Sequence, residues 1–284
     1  MLQPVTTLRT LRLPSGRAMP ALGQGTVRLG EDESKRREEV RALRLGLDLG
    51  MVLIDTAEMY ADGGAEDVVG EAIEGRREEV FLNSKVLPDN ATGDGTIAAC
   101  ERSLKRLKTD YLDLYLLHWR ESVPLAETLE AFQALKRAGK IRDYGVSNFE
   151  PHDMEEARAL PGGDEIVTNQ VMYNLSHRGI EWDLLPWCRT RALPVMAYSP
   201  LDEGRLATRP KLKPIAKRHG ISAAQVALAW LVGQEGIVVF PKASDQAHVH
   251  ENRAALDVRL TDEDLKELDR AFRPPRKKVA LQTS

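Results

Sequence analysis

The sequence predicts an α/β fold, specifically a (β/α)8 barrel in which eight parallel strands close on themselves inside a ring of helices. Three observations carry this. Eight short apolar runs alternate with stretches of helical periodicity along 284 residues. Almost every run ends in polar side chains that a barrel would gather on one face. The rival architecture, an open doubly wound sheet, lacks its dinucleotide fingerprint. The first run offers Gly23-Gln24-Gly25 and then places Arg28 where the third glycine belongs.

Residues 8–20, LRTLRLPSGRAMP, alternate around Pro14-Ser15-Gly16 and predict a β-hairpin closing the bottom, N-terminal end of the barrel. The strand candidates follow in order: ALGQGT (21–26), MVLIDT (51–56), VFLNSKV (80–86) and YLDLYLLHW (111–119), then IRDYGVSNF (141–149), IVTNQVMYN (166–174), LPVMAYSPL (193–201) and GIVVFPKAS (236–244). Between them the apolar period lengthens to that of a helix, as in Ile97, Cys100, Leu104, Leu107 and again in Leu125, Leu129, Phe132. Gly50 and Gly139 stand where helices end, and Glu150-Pro151 reads as a helix start with proline at its first position. The basic, proline-rich tail RPPRKKVALQTS is expected to lie loosely across the outside. No linker or repeat interrupts the chain, so residues 1–284 read as a single domain.

Composition removes several function classes. A net charge of −3 supplies no basic field for nucleic acid or an anionic membrane. No apolar run approaches the ~20 residues of a spanning helix, and the first residues lack a leader pattern. Cys100 and Cys188 stand alone in helix-like surroundings, with neither a metal motif nor a disulfide framework. The expectation is a cytoplasmic, monomeric protein whose partner is a small molecule.

The strand ends carry the chemistry. They bring Asp55 with Tyr60 in the loop behind it, Lys85, His118, Ser147 with Asn148, Gln170, Tyr198 with Ser199, and Lys242. Each has an ordinary structural reading: Asp55 as a helix cap, Asn148 in a turn, His118 as a satisfied core histidine. Lys85 resists one. A lysine within the apolar run Val80–Val86 must find a carboxylate or lose its charge. Asp55, one strand away, is its expected partner.

With these residues in place, the chain resembles the aldo-keto reductase superfamily. DTAEMYADGGAEDVVGEAI, LKRLKTDYLDLYLLHW, GVSNF, NQVMYN, AYSPL and FPKAS with HVHEN resemble that family's motifs in their usual order, from about residue 10 to about 275. The resemblance implies a catalytic tetrad of Asp55, Tyr60, Lys85 and His118 and the reduction of aldehydes and ketones by hydride from NADPH, with NADH as a weaker alternative. Tyrosine ionises near pH 10; a neighbouring ammonium is expected to lower that value and make Tyr60 a general acid. The resemblance further implies nicotinamide contacts from Ser147, Asn148, Gln170 and Tyr198, with Thr26, Val27 and Asp55 beside them. Ser199, Pro200 and Leu201 would cover the pyrophosphate. Lys242, Ala243 and Ser244 would hold phosphate at a helix N-terminus, and His248, Glu251 and Asn252 the adenosine end. Val27, Met59 and Trp119, with Trp182 as a further candidate, would face the substrate.

Two departures stand out. Val27 follows Gly25-Thr26 where many members carry tryptophan, which reshapes the substrate pocket. His248 stands where many carry arginine for the 2′-phosphate, and histidine is charged only when protonated. His248 and His250, two apart on a helix, do not share a face and make poor metal ligands. Two other function classes compete: a Schiff-base aldolase acting through Lys85, and a non-catalytic, cofactor-sensing regulatory protein.

Overall fold

In a computed structural model describing residues 9–283, eight parallel strands form one sheet that curls into a barrel with helices outside it. A two-stranded hairpin comes first, β1 (Thr10–Arg12) and β2 (Ala18–Pro20), paired antiparallel with Leu11 opposite Met19. The barrel strands are β3 (Gly23–Gly25), β4 (Leu53–Asp55), β5 (Phe81–Val86), β6 (Leu112–Leu117), β7 (Ile141–Ser147), β8 (Ile166–Met172), β9 (Val195–Tyr198) and β10 (Ile237–Val239). They lie side by side in sequence order. The seam between the first and last barrel strands closes through bridges pairing Leu22 with Val239 and Gly25 with Lys242. Two of its backbone hydrogen bonds are Val239 N–H to the Ala21 carbonyl (2.9 Å) and Gly25 N–H to the Pro241 carbonyl (3.2 Å).

All eight sequence-predicted strands are present, several of them shorter than the apolar runs. Two were cut by backbone conformation: Asn148 (φ +62°) follows β7 and Ser199 (φ +50°) follows β9, and left-handed residues cannot continue a ladder. The helices α1 (Arg36–Asp48), α2 (Gly64–Ala72), α3 (Gly93–Leu107), α4 (Leu125–Arg137), α5 (Pro151–Ala159) and α6 (Leu184–Thr190) each follow one strand. After β9 come α7 (Lys213–His219) and α8 (Ala223–Val232), and after β10 come α9 (Gln246–Ala254) and α10 (Asp262–Ala271). Gly50 and Gly139 take left-handed backbone just past α1 and α4, as predicted. The Glu150-Pro151 start is also present: Glu150 and Asp153 exchange the two bonds of a capping box above Pro151.

Alternation along the strands divides the apolar residues into two cores. Leu53, Phe81, Leu114, Leu116, Met196 and Val238 point inward and fill the barrel with Leu13 and Met19 of the hairpin. The outward set packs under the helices. Beneath the inner core, Arg17 of the hairpin ties itself to Asp113 (2.5 Å) and Asp143 (3.3 Å), which are only 6% and 1% exposed. The hairpin thus plugs one end of the barrel, and the chemistry-bearing residues collect at the other.

The tail departs from the sequence reading. Lys278 pairs with Glu150 (3.4 Å) and Asp183 (3.2 Å), Leu281 N–H donates to the Glu150 carboxylate, and Gln282 contacts His177. These anchors carry it to the open end, where Thr283 borders the cleft.

Candidate active site

Asp55 is the last residue of β4 and points into the barrel, 2% exposed. On the neighbouring β5, Asn83 and Lys85 sit two apart and therefore share the inward face. Lys85, fully buried, donates from Nζ to Asp55 Oδ2 (2.8 Å), to the Thr56 carbonyl (2.8 Å) and to the Tyr60 hydroxyl (3.1 Å). The pair expected from the cost of a buried lysine is present. The other carboxylate oxygen of Asp55 accepts from Asn83 Nδ2 (2.5 Å) and from Gln170 Nε2 (2.7 Å) on β8. Three donors from three directions thus fix one carboxylate in orientation.

Asn83 was missed by the sequence reading. Its signal was available, since it is polar inside an apolar run and has the same parity as Lys85. Gln170, expected beside a nicotinamide, also braces Asp55.

Tyr60 opens a tight turn in which Ala61 (φ +52°), Asp62 (φ +52°) and Gly63 (φ +91°) are all left-handed. Such conformations cost about 1–3 kcal/mol at each non-glycine position and persist where the surroundings impose them. His118, just after β6, meets the Tyr60 ring edge-on at 5.8 Å and the Trp119 ring at 4.9 Å. Its Nδ1 is buried without a partner among the described residues.

Electrostatics refine the expected roles. Burial pushes the Tyr60 phenol above its ordinary value; the Lys85 ammonium pulls it down, and Asp55 adds to the rise. The expected lowering is therefore one contribution among several, and desolvation outweighs it. Burial acts against the Lys85 ammonium, yet Asp55 and Tyr60 prevail and hold its pKa above the ordinary value. Burial and the Lys85 charge together push His118 down to about 3, so its imidazole is neutral at physiological pH. A neutral imidazole can donate one hydrogen bond without adding charge.

Above this floor runs a cleft of about 1450 Å³. Asp55, Tyr60, His118, Ser147, Asn148 and Gln170 line its deep end, while Thr26 and Val27 come from the loop after β3. Tyr198, Ser199, Pro200 and Leu201 form one wall; Lys242, His248, Glu251 and Asn252 form the far end. Met59 and Trp119 also line the cleft, and Val27 and Met59 are exposed apolar side chains. Lys85 lies beneath the surface, bonded to Tyr60 and Asp55, which line the cleft above it.

Ala243, Ser244 and Trp182 do not line the cleft. Asn148 is already engaged, donating to the His118 carbonyl (3.1 Å) and Ser147 Oγ (3.2 Å) and accepting from the Tyr198 hydroxyl (2.9 Å). His248, 66% exposed at its side chain, is held by Asp245 at 2.5 Å.

The sequence model of the Aldo/keto reductase family matches residues 21–273. Methylglyoxal reductase YeaE of Escherichia coli K12 is 55% identical over 93% of this chain and 95% of its own length. Glyoxal reductase of Bacillus subtilis is 36% identical over 94% of each. The crystal structure of an aldo/keto reductase from Klebsiella pneumoniae, in complex with NADP and acetate, superposes with a TM-score of 0.95 at 49% identity, covering 98% of this chain and 100% of that one. With a match along most of its length and relatives this similar from end to end, the chain belongs to the aldo/keto reductase family.

Proposed function

We propose that the protein reduces small aldehydes and ketones, 2-oxoaldehydes such as methylglyoxal among them, with NADPH as hydride donor. We read residues 1–284 as one domain working as a cytoplasmic monomer. The observation that carries the reaction is the Lys85 ammonium, bridging Asp55 Oδ2 at 2.8 Å and the Tyr60 hydroxyl at 3.1 Å in the floor of a long cleft.

The cleft fits a dinucleotide. Its volume exceeds the ~300–1000 Å³ usual for a drug-sized ligand, leaving room for an extended cofactor and a small substrate. Lys242 at the far end has no carboxylate partner among the described residues, so its charge is available to a phosphate. When bound, the nicotinamide supplies the hydride; the residues of this chain do the rest. Tyr60 gives its proton to the carbonyl oxygen. Lys85 stabilises the phenolate left behind, and Asp55, held by Asn83 and Gln170, keeps Lys85 charged and in place. His118, neutral, donates a hydrogen bond that orients the oxygen. Val27 and Met59 give the substrate an apolar rim. The 55% identity to a methylglyoxal reductase supports the 2-oxoaldehyde class.

The Schiff-base reading loses support from the same geometry. A nucleophilic lysine needs a lowered pKa, whereas Lys85 is raised, buried and committed to three acceptors. The two cysteines, both free and buried, suit a reducing compartment. Oxidation of NADPH by methylglyoxal, followed by nicotinamide absorbance, tests the reaction. Tyr60→Phe is expected to lose about 10²–10⁴-fold in kcat while binding NADPH as the parent does. A parent that binds NADPH yet turns over no carbonyl compound leaves the regulatory reading standing instead.

A further inference from the structure

The turn that presents Tyr60 has no obvious means of holding its own shape. Three successive left-handed residues, Ala61 to Gly63, lead into α2, and its N-cap Gly63 offers no side chain to the helix. The support comes from outside the cleft. A Cβ placed on Gly63 would lie 2.6 Å from Nε, 2.7 Å from Cδ and 2.9 Å from Cζ of Arg106, so the guanidinium end of Arg106 lies directly against the Gly63 backbone. A Cβ on Gly30 would meet the Gly64 carbonyl carbon at 2.5 Å, and Gly30 N–H is pinned by Glu39 at 2.9 Å. The backbone at the end of the turn, Gly63 and Gly64, thus lies against both.

Arg106 is itself locked. It sits in the last turn of α3 and donates from Nε to Glu66 Oε2 at 2.6 Å. Glu66 is fully buried in the first turn of α2, and its other oxygen accepts from Ser84 Oγ at 2.6 Å. Ser84 immediately precedes Lys85 on β5. One chain of contacts therefore runs from the strand carrying Lys85, through Ser84, Glu66 and Arg106, to the backbone three residues beyond Tyr60. It fixes the two ends of the 3.1 Å Lys85–Tyr60 bond relative to each other.

We propose that Arg106 is a positioning residue for the proton donor: its guanidinium, fixed by Glu66, is the surface against which the Tyr60 turn is set. This rests on the reading of Tyr60 as the general acid. Arg106 does not line the cleft, so its effect passes through the Lys85–Tyr60 pair that it helps to set. Lysine at this position keeps a charge for Glu66 but loses the flat guanidinium.

The experiment compares Arg106→Lys and Glu66→Gln, the second weakening the anchor of Arg106 while leaving the Gly63 backbone unchanged, with the parent and with the same changes made in Tyr60→Phe. Misplacing a catalytic group by about 1 Å costs up to ~10²-fold. Both variants are expected to lose about ten- to hundredfold in kcat, with the Kd for NADPH within about twofold of the parent and no further loss in the Tyr60→Phe background. Hydrogen exchange across residues 58–66 should quicken in Arg106→Lys. A folded Arg106→Lys with parental kcat overturns the proposal, as does a loss that persists undiminished in Tyr60→Phe or runs parallel with lost NADPH binding. Should the lysine variant not fold, Glu66→Gln makes the same comparison. A parent without carbonyl turnover defeats the functional reading instead, and the exchange measurement then still decides whether Arg106 holds the turn.

Discussion

Replacing Lys85 with methionine removes an ammonium that is fully buried and bonded to three acceptors, while a side chain of similar length fills the space. Breaking a buried ion pair costs about 3–5 kcal/mol because the remaining charge is stranded. Asp55 keeps two donors here, Asn83 and Gln170, so the lower end, about 3 kcal/mol, is expected. Unfolding entropy of ~2.1 cal/mol/K per residue over 284 residues is about 0.6 kcal/mol/K, which converts that loss into a Tm lowered by about 5 °C. The pH dependence follows from the direction of the Lys85 shift. A folded pKa above the ordinary 10.5 means the stabilisation is fully present below that value and is lost as pH rises through the higher, folded one. The gap in Tm between parent and variant should therefore stay constant from pH 6 to 9 and narrow only in strong alkali. Calorimetry across that range measures it, with NADPH turnover expected to fall by about 10²-fold or more. A variant as stable as the parent would mean that Asp55 does not depend on Lys85, and the reasoning about the buried pair would collapse.

Three further outcomes are expected. His118, held down to about 3, contributes stability that is present above its ordinary value of 6.5 and is lost as pH falls toward 3. His118→Gln should flatten that part of the acid-stability curve, and an unchanged curve would contradict a buried neutral imidazole. His248→Arg puts a permanent charge at the far end of the cleft and should widen the KM preference for NADPH over NADH; equal preferences in parent and variant would show that this position does not face the 2′-phosphate. Arg17→Met removes one partner each from Asp113, which keeps Arg77 (2.8 Å), and from Asp143, which keeps Ser15 (3.0 Å), and should cost about 1–3 kcal/mol in chemical denaturation. The surviving folded protein should keep the parental kcat, because the reaction lies at the opposite end of the barrel.

Much of this was legible before any coordinates. The eight apolar runs and their polar ends identified the barrel, because a strand buried on both faces has to read as continuous hydrophobicity. Lys85 announced its partner, since no lysine stays charged among Phe81, Leu82 and Val86 without one. Other features need three dimensions. Nothing in Ala61 or Asp62 foretells left-handed backbone, which the packing of Arg106 and Gly30 imposes. The balance on Tyr60 depends on how much water burial removes against how near Lys85 comes, and spacing along the chain gives neither distance. The tail reads as solvent-loving by composition; its course is set by Glu150, Asp183 and His177, residues about a hundred positions away. His248 likewise gives no hint in sequence of its bond to Asp245, although an aspartate three residues before it at a helix start was the available cue.

The seam where Leu22 meets Val239 and Gly25 meets Lys242 has a consequence for how the molecule comes into being. It joins residues more than two hundred positions apart, so it is among the last contacts a growing or refolding chain can make. Until Ile237–Val239 has been synthesised and docked, β3 and β9 each present a bare edge of unpaired amides and carbonyls, the kind of surface that recruits a neighbouring chain. Ribosome stalling or truncation just before residue 237 should therefore yield aggregates rather than a slightly weakened barrel. The final strand serves less as added stability than as the clasp that makes the protein self-sufficient.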